Sequence, residues 1–364
     1  MTIQPVIDYL ETWAPRPFQE NYDNSGLLTG QASWPLSGVL VTLDCTEAVV
    51  EEAIREKCNL IIAHHPIVFK GLKKITGQNY IERTIIKAIK NDIAIYAIHT
   101  NLDNIRTGVN KKIADKIGLQ NQRILAPRKD TLAKLVTFIP ADHAAAVMEA
   151  LHAAGAGNIG NYQDCSFQVE GTGTFRPNAE ANPFLGEAGQ LEKVQEVRAE
   201  VIFPWHQQTK ILSALRQAHP YEEVAYYLTK LENENQEVGA GMLGTLETPE
   251  EPLAFLKRLK DVFQTGCIRY TPLPQRHIQK VAVCGGAGSF LLPDAIRAGA
   301  DVLVTADFKY HEFFDAEGKL LIADVGHYES EQFTKDLIAE VLREKFPTFA
   351  INFSKQVTNP LSYL

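Results

Sequence analysis

Several features are missing from this 364-residue chain, and each absence excludes a class of function. The five cysteines, Cys45, Cys58, Cys165, Cys267 and Cys284, include no CxxC pair. A scattered, odd set gives no disulfide framework and fits buried thiols in a reducing compartment. Runs of Lys and Arg are also lacking, and 36 basic against 44 acidic residues leave a formal charge of −8. That balance argues against nucleic acid as a partner and against a polybasic membrane anchor. No apolar run approaches the ~18 residues of a membrane span. The opening MTIQPVIDYLETWAP has no basic leader and carries Asp8 and Glu11, so no secretory signal is expected. A cytoplasmic chain without membrane partners is the expectation.

What is present is ordinary globular material, 45% hydrophobic and 22% charged. At roughly 150 residues per domain, the length predicts two or three domains. Strand-like runs SGVLVTLD (37–44), NLIIAHHP (59–66) and IAIYAIHT (93–100) alternate with helical periodicity in TEAVVEEAIREKC and YIERTIIKAIKN. Thr46 is a plausible N-cap for the first of these helices. The alternation predicts an α/β layer rich in parallel strands.

After APRKD (126–130) the character changes. LAKLVTFIP (132–140), CSFQVEGTGTF (165–175), VQEVRAEVIF (194–203) and EEVAYYLTKLE (222–232) read as strands. ADHAAAVMEALHAAG (141–155) and QQTKILSALRQAH (207–219) read as helices. In 165–175 the pattern puts Phe167, Val169 and Phe175 on one face, and RPNAEANPFLGEAGQLEK reads as an exposed loop. The order β-α-β-β-α-β is that of a ferredoxin-like α+β module. Strand–helix alternation resumes near residue 240 and includes HYESEQFTKDLIAEVLREKF (327–346) as one long helix and FAINF (349–353) as the closing strand. The expected organisation is one α/β core, residues 1–126 and 238–364, interrupted by an inserted domain, 127–237. NLIIAHHP and DVLVTADF share a weak likeness, too slight to define a repeat.

In open α/β sheets ligands bind beyond the carboxyl ends of the strands. Four such ends carry polar groups: His64-His65-Pro66, His99 to Asp103, Asp307 leading to His311, and Gly326-His327. His327 and Glu331 are spaced i,i+4 and share a helix face. Three imidazoles and two carboxylates converging on one sheet edge suit Zn, Fe, Mn, Co or Ni. Five donors with a bridging carboxylate fit two divalent ions roughly 3.5–4 Å apart. His pairs and His-x-x-x-Glu are each weak signals alone; their combination is the argument.

NYDNSGLLTG (21–30), TLD (42–44), LIIAHHP (60–66), YAIHTNLDN (96–104), GAGMLGTL (239–246), VCGGAGS (283–289) and GHYESE (326–331) together resemble the family of GTP cyclohydrolase I type 2 homologues, also called NIF-three-like proteins. The HPYEEVAYYL stretch (219–228) is similar to the long bacterial form, whose insertion resembles PII and CutA modules. The resemblance implies a dinuclear metal centre held by His64, His65, Asp103, His327 and Glu331. It further implies a homohexameric ring, with trimeric contacts through the insertion, and a hydrolase label with an unsettled small-molecule substrate.

Other residues carry two readings each. Asp23 and Asn24 either shape the site or form an Asx turn. His99 either orients a ligand or is a satisfied, partly buried histidine. CGGAGS either offers amides to a phosphate or makes a tight strand-to-helix turn. His311 is the candidate catalytic acid or base, with an exposed helical histidine as its rival. Cys284 reads as core rather than nucleophile, and His219 as a loop histidine. The functional expectation is a metal-dependent hydrolase of a nucleotide-like or phosphorylated small molecule. The alternative is a ring-shaped regulatory or ligand-sensing protein whose metals and insertion serve binding and assembly.

Overall fold

Aliphatic and β-branched runs form fifteen strands: β1 Gly26–Thr29, β2 Val39–Thr42, β3 Leu60–Ala63, β4 Ala94–Ala97, β5 Gln120–Arg128, β6 Leu132–Pro140, β7 Phe167–Phe175, β8 Glu192–Pro204, β9 Tyr226–Leu231, β10 Asn235–Glu250, β11 Arg269–Tyr270, β12 Ile278–Ala287, β13 Val302–Ala306, β14 Leu321–Asp324 and β15 Ile351–Phe353. The computed structural model describes all 364 residues. It divides into two units, Met1–Pro127 with Gln236–Leu364, and Arg128–Asn235. No helix is long and apolar enough to cross a membrane.

The first unit contains two sheets, not the single one expected. One has the order β1-β4-β3-β2-β15 and the other β11-β14-β13-β12-β10-β5. Within the first, β2, β3 and β4 run parallel, with Val39 opposite Leu60 and Leu60 opposite Ala94. Within the second, β12, β13 and β14 do the same. FAINF therefore does not close the later sheet: β15 returns to the first and lies parallel to β2. Single-strand patterns cannot reveal this division, because strands buried on both faces read alike whichever sheet they join.

Alternating residues on each strand serve two cores. Val39, Val41, Leu60 and Ile62 of the first sheet and Val281, Val283, Val302 and Val304 of the second share one apolar cluster. Helices Val109–Ile117, Pro252–Phe263 and Thr334–Lys345 contribute Ile113, Phe255, Leu259, Ile338 and Leu342 to it. On the outer faces, Leu40, Ile61 and Ile95 pack with helices Glu47–Arg55 and Tyr80–Lys90, while Ala282, Leu303 and Ile322 pack with Leu292–Arg297. Thr46 caps the first outer helix, its hydroxyl accepting from Val49 N at 3.4 Å.

The expected long helix 327–346 is two helices, His327–Glu331 and Thr334–Lys345. At the break, the Gln332 amide donates to the Glu329 carbonyl, the acceptor that Phe333 N–H would use in an unbroken helix, and also to Phe263 O. The break separates the segment bearing His327 and Glu331 from the amphipathic helix that anchors it.

In the second unit, β6, β7, β8 and β9 form an antiparallel sheet of order β7-β8-β6-β9. Helices Ala144–Ala153 and Gln208–Ala218 cover one face through Val147, Leu151, Ile211 and Leu215. The odd-numbered residues of β7 do share a face, but it is the open one. Phe167 and Val169 are 67% and 48% exposed.

Candidate metal centre

The turn after β3 places two adjacent histidines in one cavity wall. His64 is fully buried, and its Nδ1–H donates to Ile98 O at 2.8 Å. That bond turns Nε2 toward the cluster, 3.6 Å from Asp103 Oδ1 and 3.9 Å from Glu331 Oε1. His65 turns its Nδ1 to Asp44 Oδ1 at 2.7 Å and its Nε2 to Glu331 Oε2 at 2.9 Å. Asp103 ends the short helix Thr100–Asp103 that follows β4. The next residues are braced by the chain re-entering the unit: Gly239 N donates to Asn104 O and Arg106 N to Glu237 O.

From the second sheet come His327 and Glu331. Their i,i+4 spacing brings His327 Nε2 within 3.1 Å of Glu331 Oε2, and Asp307 Oδ2 holds His327 Nδ1 at 2.7 Å. His327 Nε2 also lies 3.4 Å from His65 Nε2. The donors therefore converge from two sheets rather than one edge. They form overlapping groups: His65, His327 and Glu331; His64, Asp103 and Glu331; and His64, His65 and His99. Glu331, 3% exposed, belongs to two of them, one carboxylate oxygen toward each.

Two observations indicate a fit to cations. His64 Nε2 and Asp103 Oδ1 are buried atoms without a hydrogen-bond partner, 3.6 Å apart. Such an arrangement is costly unless an electropositive group lies between the donors. The second is the room made for Glu331. A Cβ on Gly286, whose φ is +59°, would stand 2.4 Å from Glu331 Oε1. Two of the CGGAGS amides are engaged within the protein, Gly285 N with Asn110 Oδ1 and Gly286 N with Ser330 Oγ. Cys284–Ala287 form the end of β12, where the register with β13 shifts after Val283, and Gly286 there leaves room for the carboxylate.

Charge follows the same geometry. Burial opposes a proton on His65, but its bonds to Asp44 and Glu331 outweigh burial and raise its pKa to about 10. For His327, burial is likewise overcome by Glu331 and Asp307, giving about 11. Burial would raise Glu331, yet His327 and the other imidazoles hold it well below the carboxylate range. Asp103 is raised, by burial first, against the pull of His64.

His99 sits beside this group, with ring centroids 5.3 Å from those of both His64 and His65, and its Nδ1 is 2.7 Å from Asp23 Oδ1. Asp23 also accepts from Thr100 N and from Asn24 N, so it serves both the site and the turn. His311 is not brought to the cluster. It is exposed on the 3-10 segment Tyr310–Ala316, with its ring against Tyr310 and Phe314. Cys284 is buried, and burial raises its thiol pKa, as a core cysteine requires. His219 is buried and satisfied, its Nε2–H donating to Phe138 O while Nδ1 accepts from Tyr221 N.

In the sequence Asp307 stands at a polar strand end and Asp44 closes the TLD motif, but neither has a partner legible there. Both fix an imidazole through Nδ1 and direct its Nε2 inward. Thr358, in the C-terminal tail, donates to Asp44 Oδ2 at 2.6 Å, a link with no local sequence signal.

Two predictions follow from the geometry. His65 and His327 carry protons below their raised pKa values, so a divalent cation must displace about two protons at neutral pH, and binding must tighten as pH rises. Calorimetry of Zn or Mn binding in buffers of different ionisation enthalpy measures this; absence of net proton release contradicts it. Gly286→Ala pushes the Glu331 carboxylate aside and should weaken cation affinity about tenfold or more. Unchanged affinity in a variant with an unchanged melting transition would refute that account.

Comparison with known proteins gives the lineage. Residues 1–360 match the Duf34/NIF3 (NGG1p interacting factor 3) family. A Halalkalibacterium halodurans protein named GTP cyclohydrolase 1 type 2 homolog is 41% identical over 367 residues, covering 99% of this chain and 98% of the relative. A Bacillus subtilis protein of the same name is 39% identical with the same coverage. The crystal structure of a Bacillus cereus protein related to NIF3 superposes with a TM-score of 0.88 at 40% identity, covering 100% of this chain and 99% of that one. The chain belongs to the Duf34/NIF3 family.

Proposed function

We propose that the first unit is a dinuclear-metal hydrolase acting on a nucleotide-like or phosphorylated small molecule. The observation that carries this reading is the buried Glu331 carboxylate, shared by two donor groups of which one contains two buried atoms without partners. His64, Asp103 and Glu331 would hold one divalent ion, and His65, His327 and Glu331 the other. Bound there, two cations supply Lewis-acid polarisation of the scissile group and charge stabilisation in the transition state.

The chain's own residues do the positioning. Asp44 and Asp307 hold the outer nitrogens of His65 and His327, so their inner nitrogens are fixed before any ligand arrives. His99, oriented by Asp23 and adjacent to the cluster, is better placed than His311 to hold or pass a proton at the reacting group. The relatives' name, GTP cyclohydrolase 1 type 2 homolog, makes purine ring opening one reaction to test and phosphoester cleavage the other.

Turnover should vanish on chelation and return with Zn, Mn, Fe, Co or Ni. Reconstituted protein is to be screened against GTP and phosphomonoesters, with products identified by mass. His327→Ala and Glu331→Ala should each lower kcat at least about 100-fold and reduce bound metal. Full activity in chelated protein, or in either variant, would refute the hydrolase reading.

The reading includes an inserted ferredoxin-like domain, residues 127–237, which makes the trimeric contacts of a homohexameric ring. Support comes from the β-α-β-β-α-β order of the Arg128–Asn235 unit and from its exposed Phe167. Light scattering should give a hexameric mass, reduced by Phe167→Glu; a monomeric mass for the unaltered chain contradicts this part.

A further inference from the structure

The Arg128–Asn235 unit contains a cavity of about 700 Å³, lined by residues of β7 and β8, the loop between them and the segment around Tyr221. Its size is that of a small-molecule site. Five aromatic residues, Phe138, Phe175, Phe184, Tyr221 and Tyr227, contribute to the lining. Phe175 and Tyr221 meet edge to face at 5.7 Å, Phe184 lies 6.4 Å from Tyr221, and Phe138 and Tyr227 pair at 5.6 Å.

Among these rings lies one charged group without a counter-ion. Glu196 on β8 is only 9% exposed, and its sole hydrogen-bond donor is the Tyr221 hydroxyl, 3.1 Å from Oε1. No ion pair reaches it. The nearest candidate by sequence, Arg198, is committed to Glu200 at 2.8 Å. The strand opposite has been thinned to admit the carboxylate: a Cβ on Gly173 would stand 2.0 Å from Glu196 Oε2. Glu170, Glu222 and Glu223 also line the cavity, against only Arg176 and Arg198, so its charge balance is negative.

Only Oε1 of this carboxylate is hydrogen-bonded, so Oε2 is an open acceptor for a cation bound beside it. Aromatic faces around that carboxylate favour an organic cation over a hydrated metal ion, because ring quadrupoles attract ammonium and guanidinium groups and the ring bodies cover apolar carbon. An anionic nucleotide is disfavoured by the four carboxylates. We propose that this cavity binds a small organic cation, an ammonium or amidinium-type head on an apolar body, with Glu196 as the counter-charge and Phe175, Phe184 and Tyr221 around it. The inference is independent of the metal centre, since every residue it uses lies in the Arg128–Asn235 unit.

The test uses the full chain, with and without chelator, titrated with benzamidinium and phenethylammonium by calorimetry and saturation-transfer NMR. Benzoate and benzyl alcohol are the anionic and neutral controls. Both cations should bind saturably, one per chain, and should be unaffected by chelation. Glu196→Gln keeps the shape and the Tyr221 contact, and should weaken binding about 30-fold or more. Phe184→Ala should weaken it several-fold. Melting curves of both variants should match the unaltered chain. The proposal is overturned if neither cation saturates by ~10 mM, if benzoate binds as well as benzamidinium, or if folded Glu196→Gln binds unchanged.

Discussion

The carboxylate of Glu331 is the group around which the first unit is organised. It is an anion held almost entirely out of water, with histidines rather than lysine or arginine beside it. An isolated buried charge is costly and is kept only with compensating positive charge. The protons on His65 and His327 provide that charge, and in the proposed function divalent ions would take their place. The same carboxylate dictates a glycine at position 286 and accounts for the raised pKa values of His65 and His327. Ser330, next to it, ties the helix to the end of β12 by accepting from Gly286 N.

Because the imidazoles arrive from two sheets, neither half of the unit contains the site alone. β3 and β4 deliver His64, His65, His99 and Asp103, while the elements after β13 and β14 deliver Asp307, His327 and Glu331. A shared apolar cluster of helices fixes the distance between the sheets, so hydrophobic packing sets donor spacing that hydrogen bonds then refine. The C-terminal tail adds a constraint: Thr358 reaches back to Asp44 and thereby steadies His65. Residues 237–239 perform a similar task beside Asp103, where the chain re-enters the unit.

Much of this was legible in the residues. HHP, HTNLD and GHYESE stand at strand ends or helix starts and name the donors, because polar residues after buried strands must face a cavity or solvent. The strand segments themselves followed from their apolar runs. Their partition into two sheets did not, since β-strands buried on both faces carry no mark of which neighbour they pair with. The break near Gln332 was equally hidden: the sequence is helical throughout, and a side-chain amide bonding to Glu329 O and Phe263 O interrupts the ladder. Asp44 and Asp307 illustrate a third limit. Their positions were visible, but their pairing with particular imidazoles depends on distances set by the fold. In β7, alternation correctly grouped Phe167 with Val169 yet could not say that their face is the open one.

The central claim is that Glu331 lies between two cations. Anomalous diffraction from crystals of the full chain grown with Mn or Zn tests it most directly. The account predicts two anomalous peaks, one among His64, Asp103 and Glu331 and the other among His65, His327 and Glu331. Absence of any peak at Glu331, with the metal bound elsewhere or not at all, would contradict it.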